Sequence, residues 1–173
     1  MTLERAVVET PIGPLLLFAR GNALVGLEFD ARRERAGALK DRLARHLGAF
    51  EVREAADPAG AVTRLRRYFA GDPHALDGQK VEVHGTAFEV AVWDELLRIP
   101  TGATISYTEL ARRVGRPKGF RAVGQANGRN PVALFVPCHR VIAADGTLGG
   151  YGGGLDRKRR LLELEGALSP TLV

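Results

Sequence analysis

The chain has one cysteine (Cys138), one methionine and one tryptophan in 173 residues, and aromatic side chains make up only 6 % of it. A lone thiol cannot form an intrachain disulfide, and four-cysteine and paired Cys-x-x-Cys metal sites are excluded with it. No apolar run approaches the roughly 18 residues that a membrane-spanning helix needs. The opening MTLERAVVET has no apolar core of the kind a secretory leader carries, so a reducing, cytoplasmic location is expected. Acidic residues are missing from one long stretch. Between Glu109 and Asp145 there is none, while Arg112, Arg113, Arg116, Lys118, Arg121, Arg129 and Arg140 all fall there. The overall charge of +5 is mild, but a local field of one sign attracts a polyanion. From charge alone a solvated basic surface is an equally good account. What is present, 45 % hydrophobic and 26 % charged residues, is ordinary globular composition, which excludes disorder and fibrous repeats. The length allows one domain or two compact ones with a real core.

Short apolar runs broken by Gly, Pro and Asn open the chain: Ala6–Glu9, a turn at Thr10–Pro14, Leu15–Ala19, a turn at Arg20-Gly21-Asn22, then Ala23–Phe29. This pattern predicts an antiparallel meander. Helices are expected from Glu34 to Leu47 and from Pro58 to Phe69 on the spacing of their apolar residues. The breakers Gly71-Asp72-Pro73-His74 and Asp77-Gly78 suggest a boundary, dividing the chain into 1–78 and 79–173. Beyond it, Phe88–Ile99 has helical spacing ended by Pro100-Thr101-Gly102. Ser106-Tyr107-Thr108-Glu109 has the form of a capping box that opens a helix ending at Gly115. A second short helix, Phe120–Gly128, follows the Gly/Pro turn 116–119, and the pair resembles a helix-turn-helix inside the basic window.

Val132–Val136 is an apolar run short enough for a buried strand, ended by Pro137, which cannot donate to a ladder. Cys138-His139-Arg140 follows. A free cysteine is more often an inert core residue than a nucleophile. Here His139 can serve or relay to a base that makes the thiolate, and Arg140 favours an anion nearby. Consecutive side chains in extended backbone point apart, so a Cys–His pair needs a turn or a bridging water. Glu165 falls among Leu161, Leu162 and Leu168 on a helix expected from Arg157 to Leu168, where a carboxylate is costly unless paired. A bond to His139 would fix the imidazole tautomer. Alternatively the helix frays and Glu165 meets water. The run Gly149–Gly154 is too glycine-rich for an element. It suggests a loop where backbone approaches a ligand, with Tyr151 as an aromatic wall. It lacks the Lys-Ser or Lys-Thr of a nucleotide P-loop.

Pro137-Cys138-His139-Arg140-Val141-Ile142 resembles the active-site signature of the O6-alkylguanine-DNA alkyltransferases, or methylated-DNA–protein cysteine methyltransferases. Ile105-Ser106-Tyr107, Arg121-Ala122-Val123-Gly124, Asn130-Pro131, Gly149-Gly150-Tyr151 and Leu164-Glu165-Gly166 stand around it in the family's order and spacing. The resemblance is strong from Thr86 to Gly166 and general over residues 1–80. It implies a mixed α+β fold, an N-terminal ribonuclease-H-like α/β domain followed by a mainly helical domain with the helix-turn-helix. It implies as partner duplex DNA carrying O6-alkylguanine, with O4-alkylthymine and cooperative loading of a monomer as open extensions. The second helix would lie in the minor groove, with Tyr107, Thr108, Arg116, Arg121, Ala122, Gln125, Ala126, Asn127 and Gly128 at the DNA. Arg121 would replace the extruded nucleotide and Tyr107 would press the adjoining phosphate. Cys138 would take the alkyl group once and irreversibly. His139, held by Glu165, would take the thiol proton through a water, Asn130 would stabilise the loop between helix and active site, and Tyr107 would donate to guanine N3. Val141, Tyr151, Gly152 and Gly153 would form the base pocket. Gly152 stands where several relatives have Ser, and Gln125 and Asn127 replace smaller or apolar residues seen in some. The zinc site of some relatives needs N-terminal cysteines that are missing here, so neither metal nor cofactor is expected. Competing accounts are a non-catalytic lesion-binding protein, against which Cys138 argues, a helix-turn-helix regulator with a structural cysteine, and a cysteine hydrolase.

Overall fold

The computed structural model describes residues 1–29 and 33–170. They divide into two compact units: residues 1–84 with Pro131–Phe135, and residues 85–130 with 136–173, of which the last three are outside the described residues. The division falls six residues later than the breaker-rich segment suggested. Lys80–Glu82 pairs back into the first unit, where Leu24 N–H donates to Lys80 O (3.0 Å) and Glu82 N–H to Leu24 O (2.8 Å). Backbone pairing outweighs the local turn signals.

The first unit is built on a four-stranded sheet of order β3-β2-β1-β4, made by β1 (Thr2–Val8), β2 (Leu15–Arg20), β3 (Ala23–Phe29) and β4 (Glu51–Glu54). The expected meander is there: β1–β2 and β2–β3 are antiparallel. β4 is unannounced by the sequence. Its four residues are exposed and charged apart from Val52, so they carry no apolar alternation, yet they pair in parallel with β1 at the sheet edge. Helix α1 (Arg33–Leu47) supplies the crossover that a parallel pair requires. Leu39 and Leu43 of α1 pack on Leu3, Leu16, Phe18 and Val25. Leu15 and Leu17, on the alternate face, are equally buried, so β2 is covered on both sides and reads as a continuous apolar run.

The expected helix at Pro58–Phe69 is two pieces. Ala59 (φ 53°) and Gly60 (φ 72°) are left-handed, which separates the single turn Pro58–Gly60 from α2 (Ala61–Phe69). Asp57 caps the second piece, its carboxylate accepting from Val62 N–H at 2.7 Å and Thr63 N–H at 3.2 Å. The run Val132–Val136 is buried but is not a strand. Val132 bridges to Leu27 in isolation, and Leu134 takes φ 70°. Continuous apolar character does not distinguish a strand from irregular buried chain.

The second unit is mainly helical: α3 (Ala87–Leu96), α4 (Tyr107–Arg113), α5 (Phe120–Gly128) and α6 (Leu155–Leu164). The full capping box is at α3. Thr86 Oγ1 accepts from Glu89 N–H and Glu89 accepts from Thr86 N–H. At α4 only half of the expected box forms: Ser106 Oγ accepts from Glu109 N–H (3.0 Å), while the Glu109 carboxylate turns to Arg112 and Arg113. Two guanidiniums three and four residues on compete successfully for it. Trp93 Nε1–H donates to Ala126 O (2.9 Å), tying α3 to α5 inside the unit. A short parallel pair, β5 (Ile105–Ser106) with β6 (Val141–Ile142), fixes the start of α4 beside the chain that leaves the Cys138 turn. Among the described residues no helix is long and apolar enough to cross a membrane.

Candidate active site

Cys138-His139-Arg140 forms one turn of 3₁₀ helix directly after Pro137, where a strand end was expected. Cys138 N–H donates to Val136 O (2.8 Å) and Arg140 N–H to Pro137 O (3.0 Å). All three residues of this turn are buried, and His139 and Arg140 both bond to Glu165. Asn130 Nδ2–H donates to Val136 O at 2.7 Å and Asn127 Nδ2–H to Cys138 O at 3.3 Å, so the segment after α5 and the last turn of α5 both hold the cysteine backbone.

Glu165 ends α6 as its C-cap rather than sitting mid-helix, because the helix stops at Leu164. It is nonetheless buried, and its side chain is fully shielded from solvent. His139 Nε2–H donates to Glu165 Oε1 at 2.8 Å. A carboxylate only accepts, so Nε2 carries the hydrogen, and in the neutral imidazole Nδ1 is then the acceptor. Nδ1 has no hydrogen-bond partner among the described residues. A basic nitrogen oriented in this way can receive a proton from a nearby thiol, directly or through a water.

Arg140 meets its anion inside the protein. It is buried rather than facing an external anion, donating through Nε to Glu165 Oε2 (2.9 Å), through Nη2 to Glu165 Oε1 (3.0 Å) and to Thr101 Oγ1 (3.1 Å), and through Nη1 to Ile99 O (2.8 Å). Burial by itself would raise the Glu165 carboxyl, but the bonds and charges of His139 and Arg140 outweigh it and hold the group at about 2. The exposed Arg112 and Arg113 pair with Glu109 and Arg129 reaches Glu89 at 3.3 Å, and the window's other exposed cations are Arg116, Lys118 and Arg121.

Lys158 was not anticipated. It is fully buried on α6. Its Nζ donates to Val141 O (2.6 Å), Leu148 O and Gly150 O (3.0 Å), and lies 5.7 Å from the centre of the Tyr107 ring. Burial lowers its ammonium to about 8, while the negative form of Cys138 opposes the shift. The signal was present: Lys158 stands three residues before Leu161 and four before Leu162, on the apolar stripe that singled out Glu165. Burial likewise pushes the Cys138 thiol up, opposed in order by Asn130, the Lys158 charge, the backbone and Tyr151. Burial therefore favours the neutral thiol.

Tyr107, the first residue of α4, is half-buried and donates to Gly150 O at 3.3 Å. Burial, then the negative form of Cys138, raises its phenol, so the hydroxyl remains a donor. Gly149 (φ 68°) permits this approach: a Cβ there would lie 3.0 Å from the Tyr107 ring. Val141 and Gly153 are buried, Tyr151 is half-buried and Gly152 is exposed. A cleft of about 640 Å³ is lined by Tyr107, Thr108, Phe120, Gly124, Ala143, Ala144, Asp145 and Gly150. On α5, Arg121, Ala122, Gln125 and Gly128 are exposed. Ala126 and Asn127 are not. They are buried, the Ala126 carbonyl accepting from the Trp93 indole and the Asn127 amide donating to Cys138 O. Among the described residues no group of three or more His, Cys, Asp or Glu could hold a metal ion.

Residues 3–83 match the 6-O-methylguanine DNA methyltransferase ribonuclease-like domain, and residues 87–167 match the DNA-binding domain of the same family. The methylated-DNA–protein-cysteine methyltransferase of Mycobacterium tuberculosis is 44 % identical over 163 residues, covering 94 % of this chain and 92 % of its own. That of Salmonella typhimurium is 42 % identical over 162 residues, covering 93 % and 94 %. The crystal structure of Mycobacterium tuberculosis OGT in complex with DNA superposes with a TM-score of 0.74 at 40 % identity, over 96 % of this chain and 94 % of the other. The chain belongs to the 6-O-methylguanine DNA methyltransferase family.

Proposed function

We propose that the protein repairs O6-alkylguanine in duplex DNA, as a methylated-DNA–protein-cysteine methyltransferase, by moving the alkyl group to Cys138. The observation that carries this is the buried Glu165–His139 hydrogen bond at the Cys138 turn, with His139 Nδ1 lacking a hydrogen-bond partner among the described residues. Nδ1 takes the thiol proton through a water. Sulfur attacks the alkyl carbon, the carbon–O6 bond breaks, and its electron pair stays on the purine, which regains a proton as guanine. The Lys158 ammonium and the side chains of Asn130 and Tyr151 favour the thiolate, and the Tyr107 hydroxyl donates to the departing base. Because guanine O6 is inside the duplex, the nucleotide must leave the stack, and a lesion with weakened pairing leaves most readily. Arg121, exposed on α5, fills the space. A thioether is not hydrolysed under these conditions, so each molecule acts once.

Intact-mass measurement after incubation with a duplex containing O6-methylguanine tests this. A gain of one methylene on Cys138, saturating at one equivalent, is expected, and Cys138→Ala should bind the lesion without gaining mass. Tight binding with an unchanged wild-type mass would instead support a lesion-binding protein without transfer.

A further inference from the structure

The large exposed hydrophobic side chains include a single aromatic, Phe120, half of whose surface faces solvent. It is the first residue of α5, presented by the turn 116–119 in which Gly119 N–H donates to Arg116 O at 2.8 Å. Its ring meets no other aromatic ring among the described residues. A helix advances about 100° per residue, so Phe120, Gly124, Gly128, Arg121 and Gln125 fall in order around one exposed arc, opposite the buried Val123 and Ala126. Phe120 and Gly124 also line the 640 Å³ cleft together with Tyr107 and Thr108. Gly124 and Gly128 leave the Phe120 ring at one end of the arc with no side chain between it and Arg121, and Gln125 lies beyond Arg121.

We propose that Phe120 is a second inserting side chain, an aromatic wedge that stacks on a nucleobase left without a neighbour when Arg121 enters the duplex. This rests on the reading of the site given above. Charge argues for DNA as the occupant, since the exposed Arg116, Lys118 and Arg121 stand within four residues of Phe120 in the chain and no acidic residue intervenes between Glu109 and Asp145. Chemistry argues for a base rather than a phosphate in the cleft itself. Its wall carries the Asp145 carboxylate, held ionised by Thr147, which repels a phosphate and leaves a neutral π-face acceptable. Apolar wedges that unstack a base step are a recurrent means of deforming DNA from the minor groove, and base–aromatic stacking tolerates any sequence.

The test compares Phe120→Ala, Phe120→Trp and wild type on two substrates: an O6-methylguanine duplex with 2-aminopurine beside the lesion, and free O6-benzylguanine. Loss of the ring should lower the duplex transfer rate about tenfold and reduce the 2-aminopurine signal. The free base needs no unstacking, so its rate should stay within about twofold, and Trp should restore the duplex rate. Equal losses on both substrates would show that the ring supports the fold or the reaction pocket, and an unchanged duplex rate would remove it from the DNA. If wild type alkylates from neither substrate, the assignment of Cys138 fails, yet the binding-dependent 2-aminopurine signal still decides the role of Phe120.

Discussion

At the scale of single residues, buried charge organises the site. Glu165 accepts from an imidazole and a guanidinium at once, and removing one partner of a buried pair leaves the other uncompensated. Its folded carboxyl near 2 lies below its ordinary 4.5. The stability that this shift contributes is complete above about pH 4.5 and is lost as pH falls toward 2. Glu165→Gln should be less stable than wild type at pH 7 by about 3 kcal/mol, with the gap closing through that acid window in circular-dichroism titrations. A constant gap from pH 7 to 2 would mean that the carboxylate contributes nothing as an ion. Residue identities also explain what was legible early. Glu165 stood out because an acid on an apolar stripe demands a partner. The anion expected near Arg140 is the buried Glu165, which sequence does not tell apart from an external one.

Among elements, α6 and the glycine-rich loop act as one piece through Lys158. Three carbonyls, from Val141, Leu148 and Gly150, converge on one ammonium, and Gly150 O also receives the Tyr107 hydroxyl. Lys158→Met should lower the melting temperature by about 10–35 °C, given three charged hydrogen bonds of roughly 1.5–3 kcal/mol each. Hydrogen exchange should accelerate in 147–151 before it does in α5. Uniform acceleration throughout the second unit would show that Lys158 supports packing at large rather than the loop. The helices of the pair α4–α5 were readable from caps and breakers, and α5 spans the expected Phe120–Gly128. The β5–β6 pair was not readable, because two-residue strands carry no periodicity.

For the molecule as a whole, the net charge of +5 understates the local field, and the acid-free window overstates it. Arg140 is buried against Glu165, and Arg112 and Arg113 share Glu109. If Arg116, Lys118 and Arg121 each displace a counterion, the logarithm of affinity for undamaged duplex should fall against log salt with a slope of about −3. A slope shallower than about −1, measured by fluorescence anisotropy, would place those cations away from the phosphates.

Linear order was enough to determine the meander, the helix pair and the family, because caps, breakers and the run around Cys138 are local features. Tertiary structure decided which charges are spent internally. It turned Arg140 and Lys158 inward, buried Ala126 and Asn127, returned Pro131–Phe135 to the first unit and left Phe120 projecting. Each of those outcomes depends on partners 15 or more residues away in the chain or on which side of a helix is covered, and desolvation acts on the folded surroundings rather than on neighbours in sequence.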